Sequence, residues 1–459
     1  MRRFALLAAV LAVLLAACGS DDGGDEPADG GTSSGPVSIT FWHSETASSE
    51  DNLVKLVERF NASQNEVRAE PIYQGSDMDL TLKLISGMPS GNVPTMAYMS
   101  EPYTQPMIDS GEIVPIQEYL DQEEYDLSDF SPAAIGYYTV DNTLYAMPFG
   151  MAVPVLFYNK IPFREAGLDP DRPPRDLDEA TEISEKLVRH DSAGNVTRYG
   201  FAMDIHPYWL EVMLAGADEL YINNDNGRDG FATEVAFDND AGREYFQWRH
   251  DMVQNGLALN TGSGSTAAVD ALMAVGLGKA VMVPGISGAL RSIVDVLERG
   301  GLEGIEPGVA PVPGIPGKVP EGSPGVYSRS LWIMSDRPEA ERDAAWEFIK
   351  WLVEPEQQAE WFAGSGYLPV RNSAYDLPAA TDIIAKYPQF QVPVDLFAKT
   401  ATTTAALGPV LGPFQQVRDA VKVGIEGMLS GSVSPDEAME TAVEEGNAAI
   451  KQYNERMGR

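Results

Sequence analysis

The most constraining feature of this sequence is a pattern that recurs through its length. A short apolar run ends abruptly in polar and aromatic residues, and an amphipathic helix follows. "VSITFWHS" (37–44) precedes "SSEDNLVKLVERFNASQ" (48–64), where Leu53, Leu56, Val57 and Phe60 mark one helical face behind a Ser/Glu/Asp start. "VRAEPIYQG" (67–75) reads as a strand, and "MDLTLKLISGMPSG" (78–91) as a helix stopped by glycines. "TMAYMS" (95–100) then leads into the helical "YTQPMIDSG" (103–111). After Pro148 the theme returns with the strand "VPVLFYNK" (153–160) and the helix "RDLDEATEISEKLVRH" (175–190). The strand "RYGFAMD" (198–204), the helix "AGREYFQWRHDMVQNG" (241–256) and the helix-to-strand run "STAAVDALMAVGLGKAVMVPG" (265–285) follow. A Pro/Gly-rich stretch past 306 ends in the strand "SRSLWIMS" (328–335), and from about Glu339 the chain reads as mostly helical. This alternation predicts α/β lobes built on mostly parallel sheets flanked by helices. In such sheets ligands bind beyond the carboxyl ends of the strands. The polar and aromatic ends of "FWHS", "AYMSEPY" and "VLFYNK" are therefore expected to open onto a cleft. Aromatics at strand ends are equally compatible with an ordinary core.

The chain has 459 residues, too many for one hydrophobic core, so two domains or lobes are expected. With 44% hydrophobic and 22% charged residues it is globular in class. A formal net charge of −36 argues against nucleic-acid partners, which are bound by basic patches. It also disfavours anionic membrane surfaces and anionic ligands.

Residues 1–17, "MRRFALLAAVLAVLLAA", place two arginines before an apolar run and small residues, the pattern of an export signal. The run is short for a transmembrane helix. The single cysteine, Cys18, follows directly and makes no intrachain disulfide. "LAAC" resembles the lipoprotein box of bacterial lipoproteins, a resemblance that implies acylation of Cys18 and its exposure as the mature N-terminus. The Gly/Asp/Ser-rich stretch through residue 36 has almost nothing to bury and reads as a flexible tether. Lipid and tether together predict a monomeric soluble body held at the outer face of a membrane.

Several stretches, in this order, carry a further resemblance: "FWHS" (41–44), "SGNVP" (90–94), "PVLFYNK" (154–160) with "AGLDPDRPP" (166–174), "SLWIM" (330–334) and "GYLPVRNSAYDL" (366–377). Together they resemble the extracellular solute-binding proteins of ABC importers, the family that includes the maltose-binding proteins. Within it the chain is most similar to members that bind glycerol 3-phosphate and glycerophosphodiesters. The resemblance implies two α/β lobes joined by several chain crossings, a cleft that closes on a ligand, delivery to the transmembrane subunits of a permease, and no catalysis. The lobes are expected at 37–147 with 308–334, and at 148–307 with 335–459.

Carried over position by position, Glu101 matches a glutamate that bonds glycerol hydroxyls, Tyr367 a pocket tyrosine, and Ser287 what remains of a serine-rich phosphate-contacting turn. Three positions depart from the pattern. Asp77 replaces an early pocket tyrosine, Ala152 a serine, and Val410 the phosphate-binding arginine of a late loop; Arg418 matches a different, later arginine. A phosphate dianion wants arginine and several donors, so these departures favour a neutral sugar, oligosaccharide or polyol. Arg329 is the counterweight, since it would supply a relocated cation. Glycerol 3-phosphate or a glycerophosphodiester remains the alternative ligand.

Sugars are held by stacking on aromatics and by hydrogen bonds to carboxylates and amides. The candidates are Trp42, Tyr103, Tyr208, Trp209 and Tyr327, with His43, Ser44, Asp77 and Glu101 as polar partners. An exported carbohydrate-acting hydrolase using paired carboxylates, and a sensory lipoprotein, are readings of other classes. The four histidines, His43, His190, His206 and His250, are widely spaced, so no zinc site is expected. "NNDNGRDG" (223–230) lacks the glycine and glutamate that a calcium loop needs. No cofactor is expected.

Overall fold

The computed structural model describes residues 35–300 and 304–459. The expected export signal, Cys18 and all but the last two residues of the tether lie outside the described residues. Among the described residues no helix is long and apolar enough to cross a membrane.

Two six-stranded sheets organise the chain. In the first, the strand Val37–His43 lies between Val67–Tyr73 and Met96–Ser100, parallel to both. Tyr327–Met334 runs antiparallel beside Met96–Ser100 and also pairs with Met147–Ala152 and Ile113–Val114. In the second, Val196–Met203 lies between Ala258–Asn260 and Ala280–Ile286, parallel to both. Pro154–Asn159 is antiparallel to Ala280–Ile286 and to Pro307–Pro311. Each sheet thus has three parallel strands along one side, as strand–helix alternation requires, and antiparallel pairings along the other, so the sheets are mixed where mostly parallel ones were expected.

The helices bury the faces their periodicity marks. Ala47–Ser63 buries Leu53, Leu56, Val57 and Phe60 against the first sheet. Glu339–Leu352 packs on the same sheet, with Phe348 edge-on to Phe41 at 5.8 Å. Phe414–Leu429 and Pro435–Arg456 pack on one another and on Asp240–Gln254, around a separate core in the second lobe.

The chain changes sheets at places the sequence did not mark. Met147–Ala152 belongs to the first sheet and Pro154–Asn159 to the second, with the fully buried Val153 alone between them. The expected boundary at 147/148 therefore falls inside a strand of the first sheet. The boundary at 307/308 falls inside a strand of the second, and the chain returns only between Pro311 and Tyr327. Residues 339–365 pack on the first sheet, whereas the expected division gave everything after 335 to the second lobe.

The "VLFYNK" end is a second correction. Pro154–Asn159 runs opposite to Ala280–Ile286, with Pro154 registered on Ile286. Its first residue, not its last, shares an end with the carboxyl termini of the parallel strands. Asn159 at the far end caps the helix Lys160–Glu165, accepts from Glu306 N at 3.1 Å and donates to Gly304 O at 3.2 Å. Its polar character is structural.

Candidate ligand cleft

In the first lobe the carboxyl ends of two parallel strands bring His43, Ser44 and Glu45 beside Ser100 and Glu101. The antiparallel strand Tyr327–Met334 starts at the same edge, and its Arg329 is registered on Ser100 on one side and Gly150 on the other. The helix Asp77–Gly87 begins here too, fixed by a capping box between Ser76 and Asp79. Its first residue, Asp77, is thereby aimed at Arg329.

Arg329 is 4% exposed and ion-pairs with both Glu45 and Asp77. The Ser44 hydroxyl accepts from its Nη2 at 2.7 Å, and the Ser100 hydroxyl lies 3.4 Å from Nε. Ser44 and Ser100 in turn donate to Asp77, the latter at 2.6 Å. The guanidinium lies 5.1 Å from the centre of the Tyr98 ring. A side chain at position 150 would collide with the Tyr98 hydroxyl, so glycine is required there. Beside this network burial, then the Arg329 charge, lowers His43 to about 4, so its imidazole is neutral at physiological pH.

A second ionic cluster spans the lobes. Arg418, on Phe414–Leu429, bonds Glu211 at 2.7 and 2.8 Å and reaches Glu101 at 3.4 Å. Glu101 also accepts from the Ser328 backbone N–H at 3.4 Å. It is 4% exposed, and burial outweighs Arg418 in raising its carboxyl to about 7. In this conformation Glu101 is thus buried and engaged by protein groups.

Glu101 and Glu211 also line a cavity of about 30 Å³ with Tyr137, Tyr208, Tyr221 and Phe414. That volume holds about one or two waters. The Tyr208 and Tyr221 hydroxyls are buried with no protein partner. The Tyr208 ring meets Tyr327 edge-on at 6.2 Å.

The remaining candidates divide. Tyr367 stacks parallel on Trp361 at 5.8 Å, with Gly288 against its ring. The Ser287 hydroxyl is fully buried and accepts from the Val153 N–H at 3.2 Å. Tyr103 is buried, and its phenol is raised by that burial and by the Asp77 charge. Trp209 donates its indole N–H to Asp204 at 2.9 Å and packs in the core of the second lobe. Its ring is taken up by structure and not available for stacking. Trp42 is half-buried against the first core. Sequence reasoning passed over Glu45, Tyr98, Ser100 and Glu211, and gave Arg418 no role. Glu45 and Ser100 each adjoin a residue that was singled out, whereas nothing local marks Glu211 and Arg418 as partners across 207 residues. Among the described residues no group of three or more metal-ligating side chains occurs.

Two α/β lobes around carboxylates, hydroxyls and aromatics define a binding protein of the two-lobed type. The sequence matches the profile of bacterial extracellular solute-binding proteins over residues 55–392, and the chain belongs to that family. It is 28% identical over 423 residues, 91% of this chain and 92% of the relative, to the sn-glycerol-3-phosphate-binding periplasmic protein UgpB of Pectobacterium atrosepticum. The protein of the same name from Brucella abortus is 28% identical over 422 residues, 90% of this chain and 93% of the relative. In fold the chain is similar to the cyclic alpha-maltosyl-1,6-maltose binding protein of Arthrobacter globiformis, with a TM-score of 0.72, 23% identity and coverage of 91% and 100%. It is equally similar to UgpB of Mycobacterium tuberculosis in complex with glycerophosphocholine, with a TM-score of 0.72, 19% identity and coverage of 91% and 99%. These relatives are named for what they bind, not for a reaction.

Proposed function

We propose that this protein is the substrate-binding lipoprotein of an ABC importer. It captures a neutral sugar, oligosaccharide or polyol between its lobes and delivers it to a membrane permease. The observation that supports this reading is the cluster of polar groups beside Glu101 and Glu211, where the Tyr208 and Tyr221 hydroxyls are buried without protein partners; the cavity there holds only a water or two, so a sugar enters when the lobes part. Buried polar groups demand partners. A polyhydroxyl ligand supplies donors to the carboxylates and acceptors to the phenols, while Tyr327, only partly buried, offers ring surface. Closure then shifts an existing equilibrium between open and closed forms, and the closed form presents both lobes to the permease.

The second reading, a glycerol 3-phosphate or glycerophosphodiester-binding protein, is favoured by the names of the relatives at 28% identity. A thermal-shift screen of sugars, polyols, glycerol 3-phosphate and glycerophosphocholine separates the two. A ligand at about 100 times its Kd adds roughly 2.7 kcal/mol to the folded state. A neutral sugar or polyol is expected to raise Tm. A shift with the phosphate compounds alone overturns the neutral-ligand reading, and conversion of any sugar to product overturns the binding role.

A further inference from the structure

We propose that Asp77 and Glu45 set the charge of the ligand: by occupying Arg329 from two sides they close an otherwise anion-competent arginine to phosphate. The inference rests on the reading of the cleft as the ligand site.

Arginine binds phosphate through its planar fork of N–H donors. In this cleft the fork of Arg329 is already used. One terminal nitrogen faces Glu45, the other faces Asp77 and Ser44, and Nε lies nearest Ser100. Only the second N–H of the nitrogen that faces Glu45 is left over, too little for the two-pronged grip that an oxyanion takes on a guanidinium. Two carboxylates against one guanidinium leave the cluster net negative. The arrangement also has an inside and an outside. The side chains of Arg329 and Glu45 are 5% and 4% exposed, whereas that of Asp77 is 32% exposed. Asp77 therefore stands between the arginine and the solvent of the cleft, and an anion must displace it to reach the guanidinium. The other arginine at hand gives no relief, because Arg418 is held between Glu211 and Glu101 in the same manner. The serines complete the arrangement. Ser44 and Ser100 both donate to Asp77 and both adjoin Arg329, so the two hydroxyls hold the carboxylate on the arginine. With Asp77 neutralised, those hydroxyls and the freed Nη2 face the cleft together, a donor set suited to a phosphomonoester or to inorganic phosphate.

The test is a gain of function. Asp77→Asn and the double variant Glu45→Gln/Asp77→Asn are titrated by calorimetry with glycerol 3-phosphate and with inorganic phosphate, at low and at high salt. The wild-type protein is expected to bind neither probe. Asp77→Asn is expected to gain at least about tenfold in affinity for glycerol 3-phosphate, and the double variant more, with the gain lost at high salt. Adding Arg329→Gln to the double variant leaves a neutral, hydrogen-bonding network and is expected to abolish the gain. Wild-type binding of glycerol 3-phosphate that disappears in the triple variant overturns the proposal, because Arg329 would then already be open to anions. Folded Asp77→Asn protein with no anion affinity overturns it as well. If the double variant does not fold, the single Asp77→Asn variant decides, since the carboxylate it removes is partly solvated. Neutral sugars titrated into the wild-type protein keep the two readings apart. Sugar binding without any gain in Asp77→Asn defeats only the charge-selection proposal. A gain without any sugar binding defeats only the neutral-sugar reading.

Discussion

Glu101 is a carboxylate whose place in the chain was legible and whose state was not. It stands at the end of "AYMSE", where a parallel strand must deliver it to the cleft edge. Its protonation depends on Glu211 and Arg418, which arrive from the other lobe. Burial raises its carboxyl from an ordinary 4.5 to about 7. Between those two values the folded protein holds a proton that the unfolded chain releases, so this group makes stability fall as pH rises through the window and contributes no further slope above it. Glu101→Gln removes that slope. The Tm of the variant relative to wild type is expected to be higher at pH 8 than at pH 5 by calorimetric melting, and an equal difference at both would show that burial does not govern the group. Trp209 shows the opposite limit. Its position after a strand end was read correctly, but the indole N–H finds Asp204, five residues earlier, and the ring is spent on the core.

At the scale of elements, periodicity was informative and direction was not. The buried face of Ala47–Ser63 follows from residue spacing alone. The antiparallel run of Pro154–Asn159 does not, because an apolar strand reads the same in either direction and only its neighbours fix which end meets the cleft. The helix Asp77–Gly87 carries a further pattern. Met78, Leu82 and Ile85 lie on one face and are 57%, 59% and 49% exposed. In the other lobe Val269, Met273 and Leu277 repeat the pattern on and just past Ala267–Gly276, at 60%, 41% and 63% exposure. Exposed apolar stripes mark interaction surfaces, and a permease that engages both lobes is the partner proposed here. Replacing Met78, Leu82 and Ile85 with serine is expected to cut solute uptake by cells about tenfold or more, the effect of losing roughly 1.4 kcal/mol of docking. Calorimetry should find solute affinity unchanged. Undiminished uptake would rule out that face.

For the whole molecule, the two-lobed layout could be anticipated from length and strand–helix alternation, but the places where the chain passes between lobes could not. They are set by pairing between distant strands, such as Arg329 with Gly150 across 179 residues, and no local signal records that. How the body is held at the cell is a separate matter, and the proposed anchor at Cys18 is tested directly. Cys18→Ser is expected to appear in the soluble fraction instead of the membrane pellet, with ligand affinity unchanged by calorimetry. A variant that still pellets with membranes would refute lipid attachment at that residue.

One buried residue, Val153, separates the last strand of the first sheet entering the joint from the first strand of the second. Its N–H and carbonyl are both engaged by Ser287, through the serine hydroxyl at 3.2 Å and the serine N–H at 2.9 Å. The joint is therefore clasped by the turn that follows Ala280–Ile286 in the second sheet, and Gly288 of that turn lies against Tyr367 from the helical part of the first lobe. The pivot and that wall of the cleft are one mechanical piece. In the closure proposed above, a solute pressing on this turn would act directly on the joint between the two sheets, with no relay through the interior of either lobe.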